Sequence, residues 1–241
     1  MNRVNKLNKL AAGMLLMTQT LSGAAFAASV TLSGSTVDFS FDDALLGLFG
    51  PASVSGDVLY FTPTGFSAQS LNGAGFALTH NTVNIRVAAR DGWMFSGIDL
   101  AERGDYLLLG AGGMAEVGGQ IRVFDVARPL VDMTAAIQSA VPLDLAGLPT
   151  RNWTAGATLD LSAWDTARTL NVSIENLLLA STAGALPSLA FVEKKFVGLA
   201  PDMIAVTPVP EAETYAMMLA GLGLVGWAAA RRRARTARQP S

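Results

Sequence analysis

Cysteine is absent from this chain of 241 residues, and histidine occurs once, as His80. The first absence removes disulfides, a thiol nucleophile and any cysteine metal site. The second leaves too few nitrogen ligands for a zinc centre. A Ser-His-Asp arrangement would have to use His80, and no Gly-x-Ser-x-Gly elbow accompanies it. His80 stands beside Asn81 between two strand candidates, where a hairpin tip is expected. No Gly-x-x-x-x-Gly-Lys phosphate loop is present, since the glycines of Gly110 to Gly119 lack the lysine. Adjacent acids occur once, as Asp42-Asp43, and neighbours on a strand point to opposite faces. That pair makes a poor acid–base dyad, although other acids could meet in space at the separation glycoside hydrolysis needs. The chain is therefore read as a non-enzyme without a cofactor. Calcium is the ion that loop aspartates of a β-sandwich commonly take, but no Asp-x-Asp-x-Asp-Gly loop supports it.

Basic residues are scarce in the middle of the chain. Between Ala28 and Thr207 there are nine, against seventeen acids, a formal charge of −8. An acidic body argues against nucleic acid and anionic lipid surfaces as partners. Five of the remaining arginines sit at the extreme C-terminus and three basic residues near the N-terminus. About 180 residues remain once both end segments are set aside, which suits one domain able to bury its own core.

Helical periodicity is also scarce, and period-two alternation takes its place. Val37, Phe39 and Phe41 alternate with polar neighbours, as do Val83, Ile85 and Val87, and Leu170, Val172 and Ile174. Further strands are expected at 58–62, 75–79, 94–100, 106–109, 120–126 and 189–197. Asn72-Gly73, Asp91-Gly92, Arg103-Gly104, Gly112-Gly113 and Gly118-Gly119 supply turn chemistry. Asp91-Gly92 is the clearest hairpin, between 81–90 and 93–100. Short helices are expected at 132–140, 162–167 and 42–48. Many short strands with glycine turns predict an all-β fold, an antiparallel sandwich or jelly roll. Trp93, Trp153 and Trp164 are candidates for stacking on sugar rings wherever they are exposed.

Long apolar runs occur only at the two ends. Arg3, Lys6 and Lys9 precede an apolar stretch from Leu10 to Leu21, and Ala25-Phe26-Ala27 then fits a small-x-small cleavage site with Ala28 as the new N-terminus. Residues 1–27 read as a signal peptide, which implies the secretion translocon and signal peptidase as partners. At the other end, Tyr215 to Ala230 is sixteen residues without a charge, about 24 Å as a helix. A bilayer core wants roughly 20, so this is a short span. Arg231, Arg232, Arg233, Arg235 and Arg238 would hold its far end in the cytoplasm. A buried helix of a globular domain would show a polar stripe that this segment lacks.

Val209-Pro210-Glu211, the Gly-Leu-rich run Met218 to Gly226 and the terminal Arg231-Arg232-Arg233 resemble a PEP-CTERM sorting signal of Gram-negative bacteria. Ala212 stands where the motif has its second proline. The resemblance implies processing by an exosortase near Pro210-Glu211-Ala212. It implies a transient hold in the inner membrane and delivery to the cell surface or exterior. It also implies a role among extracellular polysaccharide, in biofilm or floc, as a structural component or a carbohydrate-binding or adhesive module. The expected order is signal peptide 1–27, exported β domain 28–206 and sorting signal 207–241. The last divides into a spacer 207–214, a transmembrane segment 215–230 and a basic tail 231–241.

Overall fold

A computed structural model describes residues 29–184, 187–206 and 212–236. The signal-peptide reading with Ala25, Ala27 and Ala28, and the motif residues Pro210 and Glu211, lie outside the described residues. Twelve strands follow in order: β1 (Ser29–Ser33), β2 (Val37–Asp42), β3 (Ala52–Ser55), β4 (Val58–Phe61), β5 (Ser67–Leu71) and β6 (Gly75–Ala89). Then come β7 (Trp93–Leu109), β8 (Gly113–Asp125), β9 (Arg128–Ser139), β10 (Arg151–Asp160), β11 (Thr169–Thr182) and β12 (Leu189–Ala205). One helix closes the series, α1 (Ala212–Thr236).

The all-β, antiparallel expectation holds. The hydrogen bonds, however, draw one continuous sheet in the order β1-β2-β6-β11-β8-β9-β10-β7-β12-β4-β3, with β5 also paired to β12. This is a nearly closed, barrel-like wall. The link between β9 and β10 is thin, only Ala155 opposite Ser139 and Gly156 opposite Gln138. On the far side β5 draws the wall together. Thr79 Oγ1 donates to the Ser67 carbonyl at 2.8 Å, Ser70 Oγ donates to the Gly75 carbonyl at 2.6 Å, and Ser70 and Thr182 share a hydroxyl bond of 2.8 Å.

Alternation dictates the interior. In β11 every second residue from Leu170 to Thr182 is buried, and its partners Val83, Ile85, Val87, Ile121 and Val123 face the same core. Phe49 packs edge-on against Phe61 and Phe66 at centroid distances of 5.5 and 5.9 Å. Each fully buried Phe contributes about 1.5–3 kcal/mol by transfer.

Several local expectations are corrected. Arg103-Gly104 and Gly118-Gly119 are not turns; they lie inside β7 and β8. Residues 132–140 form most of β9, because Val131, Met133, Ala135 and Ile137 alternate inward, a period of two that helix-favouring alanines obscure. Residues 162–167 are turns, while 42–48 hold two short 3₁₀ turns, Asp43–Leu45 and Gly47–Phe49. Asp91-Gly92 does turn the chain, with Trp93 N donating to the Arg90 carbonyl at 3.1 Å. It joins no hairpin, since β6 pairs with β2 and β11 while β7 pairs with β10 and β12. The turn instead carries the chain across the barrel. His80 is exposed in mid-β6 opposite Leu177, not at a hairpin tip.

The wall has a direction. β12 begins beside Leu109 and ends beside Trp93, and Val206 N donates to the Gly92 carbonyl at 2.8 Å. The C-terminal segment therefore leaves from the Trp93 end. Loops 72–74, 110–112 and 140–150 gather at the opposite end, where Leu71, Phe76, Met114, Leu145 and Leu148 are exposed.

Candidate functional site

The C-terminal segment is the first functional element. Ala212 opens α1, and the described side chains along it, including Met217, Leu219, Leu222, Leu224 and Val225, are exposed. Arg231, one turn on from Trp227, places its guanidinium 5.0 Å from the indole centroid. Arg232, Arg233 and Arg235 continue the same helix. Among the described residues no helix is long and apolar enough to cross a membrane.

The tryptophans divide. Trp93 opens β7 half-buried, but Trp153 and Trp164 are only 2% and 5% exposed. Two of the three expected sugar contacts therefore offer no free ring face. Trp164 lies in the turn after β10. Trp153 points into the barrel because it alternates with exposed Asn152 and Thr154, and its Nε1 donates to the Asp105 and Glu193 carbonyls at 3.2 Å each.

Beside Trp153 lies an ion pair that sequence reading did not foresee. Lys194 of β12 and Glu102 of β7 are both without exposure, and Lys194 Nζ donates to Glu102 Oε2. The ammonium also sits 5.6 Å from the ring centroids of Phe66 and Trp153. Burial pulls the Lys194 pKa below its ordinary value, and the attraction of Glu102 works against that pull. Neither side chain of this pair is exposed, so both charges sit within the core.

A bulge shapes the outer face at the same point. The register slips between Lys194 and Phe196, so β12 carries one extra residue opposite β7. Lys194 turns in, while Lys195 and Phe196 both turn out. Strict alternation would have put Lys194 and Phe196 on one face. The run Lys194-Lys195-Phe196 inside an otherwise alternating strand is the signal that could have exposed the slip.

Phe196 lies over Gly198, where an added Cβ would come within 2.9 Å of its ring. Tyr60 of β4, opposite Gly198, stacks beside it at 6.4 Å with the rings 18° apart. Arg103, opposite Phe196 on β7, holds its guanidinium 4.4 Å from the Phe196 centroid. Next to this strip Lys195 pairs with Asp105 and stands 3.7 Å from Glu193. The bond to Asp105 raises the Lys195 pKa above its ordinary value. A groove of about 370 Å³ opens here, lined by Arg103, Asp105, Asn152, Thr154, Lys195 and Phe196.

Residues 208–233 match the PEP-CTERM protein-sorting motif, the recognition signal of exosortases. The chain carries the address of an exported, exosortase-sorted extracellular protein. No curated protein matches the chain. Among solved structures, TmCBM61 in complex with beta-1,4-galactotriose aligns over 57% of this chain and 90% of its own, at 7% identity and a TM-score of 0.20. The infectious bursal disease virus Gx strain structure aligns over 70% of this chain and 49% of its own, at 12% identity and a TM-score of 0.23. The Gt strain structure of that virus gives 70% and 50%, at 13% identity and a TM-score of 0.18. At such TM-scores none of the three informs fold or ligand.

Proposed function

We propose that this protein is a structural, non-catalytic component of an extracellular polysaccharide matrix, exported unfolded and released or transferred at the cell surface by an exosortase. The observation that carries the reading is the sorting motif at 208–233, which follows directly on the last residue of the β body, Val206. The spacer between Val206 and Ala212 is five residues, so six steps and at most about 22 Å of extended chain separate the two. The barrel end around Trp93 would thus stand close to whatever holds α1.

A transient membrane hold suits the composition of α1. Its uncharged run is shorter than a permanent span, and a flanking arginine such as Arg231 lengthens the reach by snorkelling. A weak anchor is adequate for a segment that is cut away. The non-catalytic reading draws support from His80, exposed alone on a strand, and from the sealing of Lys194 and Glu102 inside the core.

The test is made in the native host with a tag in the body. The expected result of Glu211→Ala combined with Arg231→Gln, Arg232→Gln and Arg233→Gln is full-length protein held in the membrane fraction. Unchanged release and unchanged gel mobility would overturn the sorting assignment.

A further inference from the structure

The outer face of β6, β11 and β8 changes character halfway along. Toward the Trp93 end its outward residues are polar and bonded to one another, as Gln120 is to Glu175 at 2.9 Å and Ser173 is to Asn84. Toward the opposite end the three strands turn apolar side chains outward in register. Phe76, Ser181 and Met114 form one cross-strand row, Leu78, Leu179 and Glu116 the next, and His80, Leu177 and Gly118 a third. Phe76 is 76% exposed, and Leu78 and Met114 are close to half exposed.

The sequence of β11 registers the same change. From Leu170 to Ile174 it alternates, but Leu177-Leu178-Leu179-Ala180 is apolar on both faces. An unbroken apolar run is the signature of a strand covered on both sides. The barrel interior covers Leu178 and Ala180, whereas Leu177 and Leu179 stay partly exposed. Gly118 adds an independent observation. Carbonyl oxygens press on Gly104 and Gly119, but an added Cβ at Gly118 would meet only the Ile137 carbonyl oxygen, at 4.0 Å, and its φ is not positive. A glycine inside a strand weakens it and often marks the close approach of another group.

We infer that this face is a dimer interface whose occupant is the same face of a second copy. A twofold axis running along β11 would lay β6 of one copy over β8 of the other, row against row. His80 then meets bare Gly118, Phe76 meets Met114 in a favourable sulfur–aromatic contact, and Leu177 and Leu179 meet their own counterparts. Glu116, which would face Leu78, borders a groove toward Gln138 and Asp144 and supplies a polar rim. Charge favours the same choice. The body carries −8, so two copies repel over most of their surface, yet Glu116 is the one acid in these three rows. Three strands by about six residues make about 14 Å by 20 Å, roughly 300 Å² of sheet, against ~800 Å² per partner in a standard complex. The dimer is therefore of the weak class, and chains fastened side by side through their tails supply the local concentration it needs. The interface itself does not rest on the matrix reading.

The chain has no cysteine, so a single introduced one reports alone. Full-length Leu179→Cys in mild detergent is treated with a short bis-maleimide, beside Asn152→Cys on the outer face of β10. A cross-linked dimer is expected from Leu179→Cys at several-fold higher yield than from Asn152→Cys. Sedimentation velocity is expected to show the parent dimerising at about 100 μM, and Leu179→Asp to weaken this about tenfold. A melting curve checks the fold of Leu179→Asp, and Leu177→Ser is the milder second variant. A parent that stays monomeric without selective cross-linking overturns the interface, as does equal cross-linking at both positions. A dimer unchanged by Leu179→Asp and Leu177→Ser places the contact elsewhere, α1 included, and also overturns it. The cross-link is repeated on whole cells, where a product with a different protein in place of the dimer overturns the second copy as occupant.

Discussion

Lys194 and Glu102 face each other across neighbouring strands inside the barrel, neither reached by solvent, with the ammonium donating to one carboxylate oxygen. The other oxygen, Oε1, has no hydrogen-bond partner among the described residues. Such a pair is costly to break and not obviously useful to keep, because two desolvated charges offset each other only when every lone pair is met.

Removing one partner should therefore be far worse than removing both. Lys194→Met is expected to destabilise by about 3–5 kcal/mol by stranding Glu102, and Lys194→Met with Glu102→Leu to lie near the parent or above it. Urea denaturation of the four members of the cycle checks this. Equal losses in the single and double variants would mean that the pair is worth its desolvation.

Gly104 should tolerate no side chain. An added Cβ would run into the Glu193 carbonyl oxygen and the ring of Trp153, both fixed parts of the wall. Gly104→Ala is expected to cost about 3 kcal/mol or to abolish folding. Gly92→Ala has open space around its Cβ and pays only for a left-handed φ of 82°, so it should cost less. Thermal melting of the two variants gives the comparison.

The pair Asp38–Arg90 should make stability depend on pH at the acid end. Hydrogen bonds from Arg90 hold the Asp38 carboxyl below its ordinary range. A depressed folded value means the stabilisation is complete above the unfolded pKa, about 3.9, and is lost as pH falls through the folded value. Asp38→Asn should lower the melting temperature slightly at pH 7, and the gap to the parent should close in more acidic buffer. A gap that is constant with pH would assign the effect to packing.

Processing should respond to the one departure in the motif. Ala212 is the first residue of α1, a position where proline is well accepted because its missing N–H has no helical partner. Ala212→Pro is expected to speed maturation in a pulse-chase experiment. Slower maturation would show that Ala212 is matched to the enzyme this chain meets.

What the sequence made legible was whatever a strand states about itself. The alternations at Val37, Val83 and Leu170 became β2, β6 and β11, and Asn72-Gly73 became a turn with both residues at positive φ, 52° and 76°. What it hid was set by distant neighbours. Gly104 and Gly119 look like turn residues but are glycines because the carbonyls of Glu193 and Glu175 press against them. Lys194 reads as a surface residue until a bulge turns it inward. The tryptophans suggested sugar contacts, yet Trp153 is consumed by the core. On the outer face Phe196 and Tyr60 are brought together from positions far apart in the chain. The sorting segment was legible because a motif read by an enzyme is written in consecutive residues.

The direction of the wall has a mechanical consequence. β12 alone is seventeen residues long, about 56 Å at strand spacing, and the C-terminus leaves from its last residues. A chain fastened through that terminus stands like a post on its Trp93 foot. The far loops, with Leu71, Phe76 and Met114, then form its head, and Phe196 lies part of the way up one side. Neighbouring posts fixed in the same way would hold these features at matching heights.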